Sequence, residues 1–345
     1  MNEYLFKLSK GKSLSEGEMT DAAKQMLNPT VSEAELAAFL MAIGLKGYGS
    51  KELYIIAEMI RKESTHQLGT IPEAMDNCGT GGDRSNSFNI STASAFVLAS
   101  AGIKMVKHGN KNMTSQSGSM DVLNALGINT INQKEEARKA IHQANLVFLN
   151  AGHIHPKLKR IAAVRKQLGI PTIFNAIGPL TNPVHLTYQM VGVYDVKLLK
   201  LYGEVLLKAG RKKAAIIHGA GNMDEASLSG ENKLYFVQSG LITEEAIHPN
   251  DVGLKVSDNS RLTGGEPSEN AKKMIGIFCG EKNPCRDAVL LNAGIGLFVS
   301  GKVSTIQEGV MYAAELIDSG AVYRKLLEVR GPVQTKGAND ICQPI

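Results

Sequence analysis

Apolar side chains recur every third or fourth position from the start of the chain to about Gln67, and helix-start signals open the runs. Ser15 and Glu18 have the spacing of a capping box. Met19, Ala22, Ala23, Met26 and Leu27 follow on one stripe until Pro29 stops the helix. Ser32 with Glu35 repeats the device ahead of Leu36, Phe39, Leu40 and Ile43, with Gly44 and Gly47 as the stop. A third helix is predicted from about Ser50 to Lys62, turning Leu53, Ile56, Ala57 and Ile60 inward. No phosphate or metal pattern interrupts this region, so it reads as a packing or oligomerisation domain.

The period changes beyond Gly69 to Pro72. Short apolar runs at Ile103–Val106, Leu146–Leu149, Met190–Val193, Ala214–Ile217 and Tyr235–Val237 alternate with helical stretches. Such alternation predicts an α/β domain with a largely parallel sheet. The expected architecture is a small all-helical domain over residues 1–68 and a large α/β domain over 69–345. No internal repeat or low-complexity tract is visible.

Composition narrows the function classes. Hydrophobic residues make up 43% and charged residues 21%, which suits a globular chain with a sizeable core. The net charge of +5 is spread along the chain rather than gathered into dense patches. That argues against a long nucleic-acid partner and fits a small anionic ligand. The four cysteines are scattered, without a CxxC pair, so neither a zinc site, a redox motif nor a disulfide framework is expected. The most apolar run, Ala288 to Ser300, is too short for a membrane span and contains Asn292. With Met1-Asn2-Glu3 unlike a signal peptide, the expected location is the cytoplasm, with no membrane partner.

Candidate chemistry concentrates between Asn77 and Ser115. Gly79-Thr80-Gly81-Gly82-Asp83 can bring backbone N–H groups close to a phosphate, or is a plain glycine turn. The helix opening around Asn89-Ile90-Ser91-Thr92 offers free N–H groups and the positive end of its dipole to an anion. Its expected inward face is Ala93, Phe96, Val97 and Ala101. Lys107-His108-Gly109-Asn110 follows an apolar run and so belongs at the C-terminal end of a strand, the edge where open α/β sheets bind ligands. Lys107 brings a point charge there; His108 is a site residue or a satisfied core histidine. Ser117, Gly118 and Ser119 open a further helix.

Two sites lie elsewhere. Asp224-Glu225 beyond a strand end suits a hard cation such as Mg²⁺, or is a solvated acidic turn. Arg165 follows Leu158 by seven residues and Ile161 by four, on a stripe with Ala162 and Leu168. A cation on an apolar stripe needs a partner, either a carboxylate of the protein or that of a ligand. The stretch Gly178 to Pro183 carries no acid or donor of catalytic use and reads as structural.

In this order the segments resemble the anthranilate phosphoribosyltransferase family over nearly the whole chain. The resemblance rests on GTGGD at 79–83, FNIST at 88–92, KHGN at 107–110, Ser117-Gly118-Ser119 with Asp121-Val122-Leu123, and His155-Pro156. It continues through Val164-Arg165, TIFN at 172–175, Gly178 to Pro183, His218-Gly219 and Asp224-Glu225. It implies the fold class of nucleoside phosphorylases and phosphoribosyltransferases, with the active site between the two domains. It also implies that the segment from about 156 to 182 rejoins the helical domain, and that helical domains pair as a homodimer.

The implied substrates are 5-phosphoribosyl 1-diphosphate and anthranilate, with two Mg²⁺ per subunit as cofactor. The implied diphosphate contacts are Gly79, Gly82, Asp83, Ser87, Asn89, Ile90, Ser91, Thr92, Lys107, His108, Gly109, Asn110, Lys111, Asn112, Met113, Thr114, Ser115 and Ser119. Anthranilate would meet Gly79, Asn110 and Arg165; Mg²⁺ would be held by Ser91, Asp224 and Glu225. His108 is the one candidate for a late proton acceptor. Two positions depart from the family: Arg84 stands where glycine is usual and Lys111 where arginine is usual. A pyrimidine nucleoside phosphorylase and a non-catalytic nucleic-acid-binding relative are the alternatives.

Overall fold

The computed structural model describes residues 1–65, 68–109 and 117–331. Four helices open the chain: α1 (Asn2–Ser9), α2 (Glu16–Leu27), α3 (Glu33–Lys46) and α4 (Ser50–Lys62). The two capping boxes form, with Ser15 N–H donating to Glu18 at 2.7 Å and Ser32 N–H donating to Glu35 at 2.9 Å. Helix α1 had no strong sequence signal. Its Leu8 is buried, but Phe6 stays on the surface. Gly44 does not end α3; the helix runs through it to Lys46 and stops at Gly47, whose φ is +81°.

Seven strands make one sheet: β1 (Ala74–Gly79), β2 (Lys104–Gly109), β3 (Leu146–Asn150), β4 (Tyr188–Gly192), β5 (Lys213–His218), β6 (Asn232–Gln238) and β7 (Leu241–Ile247). Their spatial order is β3-β2-β1-β4-β5-β6-β7. The first five run parallel, and β6 and β7 add an antiparallel edge. The expected runs all become strands; edge strand β7 was not foreseen, and neither was β1. Its sequence AMDNCG holds Asp, Asn and Gly, which strands usually avoid, yet it sits near the sheet centre.

The helices after the first four are α5 (Ile90–Ser100), α6 (Ser119–Ala125), α7 (Lys134–Ala144), α8 (Ala151–Ile154), α9 (Leu158–Leu168), α10 (Leu198–Lys208), α11 (Pro267–Phe278), α12 (Pro284–Val299), α13 (Ile306–Asp318) and α14 (Ala321–Arg330). Strand side chains alternate between the two faces of the sheet, as its pleat requires. Met190, Ala215 and Ile217 join α5 and α12 on one face. Val191, Ala214 and Ile216 join α10 and the N-terminal helices on the other. That second core also takes in Ile161, Val164, Ile173, Phe174, Ile177 and Leu180.

Helix α5 differs from its expected one-sided pattern. Every residue from Thr92 to Ala99 is buried, because α12 covers the side that α5 turns away from the sheet. Cys78 and Cys285 are free thiols, while Cys279 is disulfide-bonded, so the cysteines are not uniformly reduced as their scatter suggested. No helix among the described residues is long and apolar enough to cross a membrane.

Candidate active site

After β1 the chain moves outward to β2 and β3, then returns to place β4 on the other side of β1. The segments leaving β1 and β4 therefore diverge and open a crevice at the carboxyl ends of these strands. The Asp224-Glu225 segment, which follows β5, lies across this edge. It fits because the strand tips are trimmed. A Cβ on Gly192 would stand 1.5 Å from the Asp224 carbonyl oxygen, and one on Gly79 2.0 Å from Asp224 Oδ2. These two glycines are register partners.

Both acids are bound by backbone N–H groups. Gly81 N–H donates to Asp224 Oδ2 at 2.7 Å, and Ser91 N–H donates to Glu225 Oε1 at 2.9 Å. Ser91 stands in the first turn of α5, where free N–H groups and the helix dipole attract an anion. The amides that the sequence offered to a phosphate thus hold the protein's own carboxylates here.

Asp83 adds a third acid. Burial first, then the Asp83 carboxylate, pushes Asp224 up to about 7. Glu225 is pushed well above the usual carboxylate range by burial and by Asp224 and Asp83. Asp83 Oδ2 and Glu225 Oε2 are buried and have no hydrogen-bond partner among the described residues. The cluster is short of positive charge, although no three His, Cys, Asp or Glu residues among the described residues form a ready cation cage. Beneath it lies a cavity of ≈ 20 Å³, bounded in part by Asn77, Ser91, Asp224, Glu225 and Asn292.

Lys107 is in β2 and almost fully buried. Its ammonium donates to the Asn77 carbonyl and, at 3.3 Å, to Asn77 Oδ1. Asn77 Nδ2 in turn donates to the Ser91 carbonyl at 2.9 Å, so Lys107 reaches the α5 start through Asn77. Fully buried Asp76 lies below. Burial raises its carboxyl, and the charge of Lys107 offsets part of that rise. Asn182 Nδ2 donates to Asp76 Oδ2 and to the Val106 carbonyl, both at 2.8 Å. The turn from Gly178 to Pro183 is therefore tied to β1 and β2.

His108 is buried and meets His155 edge-on at 5.2 Å between ring centres. Burial and this neighbour pull His108 down to about 3, which leaves it neutral and a weak base at pH 7. Asn89 precedes α5, and its amide bridges Asn270 Nδ2 (3.1 Å) and the Ser117 carbonyl (3.3 Å). Ser87 pairs with Thr263 in a short bridge. Gly82 turns with φ +85°. Ile90 and Thr92 are buried in the α5 core, while Gly109 and Ser119 are half-buried at the end of β2 and the start of α6. Asn110, Lys111, Asn112, Met113, Thr114 and Ser115 lie outside the described residues.

Arg165 is half-buried on α9. Ile161 and Val164 face inward there, while Ala162, expected on the stripe, is exposed. The Arg165 guanidinium lies 5.6 Å from the Phe174 ring centre, and its Nη2 donates to Asn175 Oδ1 at 3.1 Å. Among the described residues its buried Nε has no acceptor and no carboxylate forms an ion pair with it. Burial lowers its pKa. Among the described residues, no hydrogen bond or ion pair joins Arg165 to the carboxylate cluster.

Sequence reasoning missed Gly192, Asn77, Asn182 and Asn292. Only Asn292 left a readable signal, a polar side chain inside an otherwise apolar helix.

Two family models match the chain: the helical bundle domain of a glycosyl transferase family over residues 2–64, and its a/b domain over residues 71–323. Anthranilate phosphoribosyltransferases from Bacillus cereus (strain AH820) and Oceanobacillus iheyensis are each 46% identical over 94% of this chain and 96% of their own. The solved anthranilate phosphoribosyltransferase of Thermus thermophilus superposes with a TM-score of 0.88 at 35% identity, covering 93% of this chain and 96% of that one. The enzyme from Saccharomyces cerevisiae, solved in complex with PRPP and Mg, gives a TM-score of 0.86 at 28% identity, covering 94% and 95%.

Proposed function

Because the chain belongs to the anthranilate phosphoribosyltransferase family and transfers the phosphoribosyl group of 5-phosphoribosyl 1-diphosphate to the amine of anthranilate, we propose that the crevice at β1 and β4 is where this happens. The products are N-(5-phosphoribosyl)anthranilate and diphosphate, on the route to L-tryptophan. The matched relatives speak for transfer to an amine rather than for phosphorolysis of a nucleoside. The observation that carries the placement is the crowding of Asp83, Asp224 and Glu225, in which the buried Asp83 Oδ2 and Glu225 Oε2 have no donor among the described residues.

Such a donor set suits Mg²⁺, which binds carboxylate oxygens and shares its remaining positions with water and phosphate. Asp224, Glu225 and Ser91 are the proposed ligands, for two ions per subunit. When bound, Mg²⁺ offsets the negative charge that gathers on the departing diphosphate. The chain's own residues hold the substrates. The turn at Gly79 to Asp83, Ser87 and the α5 start from Asn89 to Thr92 flank the diphosphate. Lys107 supports them through Asn77. The stretch from His108 to Ser115, with Ser119, completes the phosphate contacts. The Arg165 fork, with Asn110 and Gly79, receives anthranilate. Its unused Nε and the absence of an ion pair among the described residues favour a ligand carboxylate as the missing partner.

The aromatic amine is neutral at pH 7 and already nucleophilic, so no strong base is required. Neutral His108 is at most a late acceptor of the departing proton. Positioning and electrostatics therefore carry the catalysis. We further propose a cytoplasmic homodimer paired through the helical domain, where Phe6 and Leu45 are exposed at 69% and 81%.

The activity is tested by mixing the protein with Mg²⁺, phosphoribosyl diphosphate and anthranilate and following anthranilate fluorescence. The chain has no Trp, so its own background is low. Fluorescence that holds steady at every Mg²⁺ concentration sinks the assignment. Replacing Arg165 by Ala should raise KM for anthranilate on the order of tenfold, the loss of one charge-assisted hydrogen bond. KM for the sugar substrate should move far less; equal shifts in both would remove Arg165 from the anthranilate site.

A further inference from the structure

We propose that Asn292 is a positioning residue that sets the Asp224-Glu225 pair in place by gripping the peptide groups of Ala226. Asn292 lies in the middle of α12 and is 4% exposed. Its Oδ1 accepts from Ala226 N–H at 3.0 Å, and its Nδ2 donates to the Ala226 carbonyl at 2.8 Å. One side chain thus satisfies both backbone groups of the residue that follows Glu225, as a neighbouring strand would. The second Nδ2 hydrogen goes to the Ala288 carbonyl at 2.9 Å. A buried amide with its donors filled is tolerated in an apolar helix; one with a missing partner is not.

The segment around the acids has little regular structure to hold it. Upstream, Met223 pairs with Gly219 in an isolated bridge, with bonds of 2.9 and 3.2 Å. Downstream, the first fixed points are Ala226, on Asn292, and Ser227, whose N–H donates to Asn232 Oδ1 at 2.6 Å. Asp224 and Glu225 fill the interval. Asn232 also binds Ala220, Gly230 and Ile247, so it shapes the whole loop. Asn292 is more selective: outside its own helix it holds only Ala226 among the described residues, and it bounds the cavity beneath the acids.

Helix α12 gives this grip its reference frame, because it packs directly on α5. Gly296 permits the approach, since a Cβ there would stand 2.7 Å from the Leu98 side chain. Ser91, which donates to Glu225, starts α5; Asn292, which holds Ala226, sits on α12. The two packed helices therefore fix the Glu225 carboxylate from both ends, the side chain through Ser91 and the backbone through Ala226. Second-layer hydrogen bonds of this kind typically change metal affinity by about 10–100-fold when lost.

The inference rests on the assignment of Asp224 and Glu225 to Mg²⁺, and its test separates the two. Mn²⁺ serves as probe, with its affinity measured by electron paramagnetic resonance in the presence of inorganic diphosphate. Asn292→Leu keeps a side chain of similar shape but can neither accept from the Ala226 N–H nor donate to its carbonyl. Asn292→Ser leaves room for a water. In whichever variant folds by circular dichroism, Mn²⁺ binding should weaken about tenfold or more. The Mg²⁺ concentration for half-maximal rate should rise in step, while KM for anthranilate stays within about twofold.

Mn²⁺ affinity within about twofold of the parent overturns the proposal, as does equal weakening of Mn²⁺ and anthranilate. If Asp224→Asn also leaves Mn²⁺ binding unchanged, the Mg²⁺ assignment itself fails. If Asp224→Asn loses Mn²⁺ and the Asn292 variants keep it, only the positioning role falls. Amide exchange in the unmodified protein needs no variant: the Ala226 N–H should exchange among the slowest of residues 219–231, and rapid exchange there counts as refutation.

Discussion

Arg84 shows what a single residue's backbone can reveal. Its position departs from the resembled family, where glycine is usual, and its φ is +56°. An L side chain in the left-handed region costs roughly 1–2 kcal/mol, part of which glycine returns through its freer unfolded chain. Arg84→Gly should therefore stabilise the protein by up to ~1 kcal/mol, read from the urea midpoint. A clear loss of stability would mean that the exposed arginine makes a contact worth more than its strain. Asp224 stores a different cost. Its folded pKa of about 7 lies above that of a free carboxylate, so its contribution is present below about pH 4 and is lost as pH rises towards 7. Asp224→Asn keeps an acceptor for Gly81 N–H and removes the charge. At pH 8 without metal, the variant should melt higher than the parent, and with Mg²⁺ added it should turn over substrate far more slowly. A lower melting temperature would refute the crowded-carboxylate account.

Among the elements, α9 has the clearest division of labour. Arg160 places its guanidinium on the carbonyls of Val31, Met26 (3.2 Å) and Asn28 (2.8 Å), at the C-terminal end of α2. The Met26 and Asn28 carbonyls are orphan acceptors at the negative dipole end of that helix. Arg165, on the same helix, has no acceptor for its Nε among the described residues. Arg160→Ala should cost about 1–3 kcal/mol of stability, as the loss of charge-assisted bonds does. It should also raise KM for anthranilate more than KM for the sugar substrate, because α9 carries Arg165. Equal changes in both would detach the clamp from the site. Helix boundaries were legible because capping boxes, stripes and stops are local patterns. Strand β1 was not: its Asp76 Oδ2 and Asn77 Oδ1 are bonded by Asn182 and Lys107, partners that no pattern around β1 announces.

For the molecule as a whole, the weak points are buried ionisable groups near the site. The His155 Nε2 lies 2.9 Å from the Thr181 carbonyl oxygen, and the ring faces His108; burial chiefly pulls His155 down to about 4. The unfolded chain takes up these protons first, near pH 6.5, so stability falls as pH drops from there towards 4. Each buried histidine should cost on the order of 2 kcal/mol by pH 5. The raised carboxylates act in the opposite direction over part of this range, but equally in parent and variant. The melting-temperature gap between His155→Gln and the parent should therefore shift in the variant's favour between about pH 7.5 and about pH 5. A gap independent of pH would show that His155 does not titrate on unfolding.

The sequence by itself determined most of the residues that could do chemistry and most of the helices and strands, with α1, β1 and β7 the exceptions. Capping, periodicity and turn chemistry act over a few positions, so Ser15 to Leu27 or Ile103 to Val106 carry their own instructions. Only the tertiary structure decided how the pieces meet. The Ser91 amide reaches Glu225 across 134 positions and the Gly81 amide reaches Asp224 across 143. Those contacts follow from β4 returning beside β1, from two glycines that leave room at the strand tips, and from α12 lying on α5. Which strands become neighbours is settled by burial of whole faces and by chain connectivity. A local stretch such as Asp224-Glu225 looks the same whether it ends in solvent or beside the start of a helix.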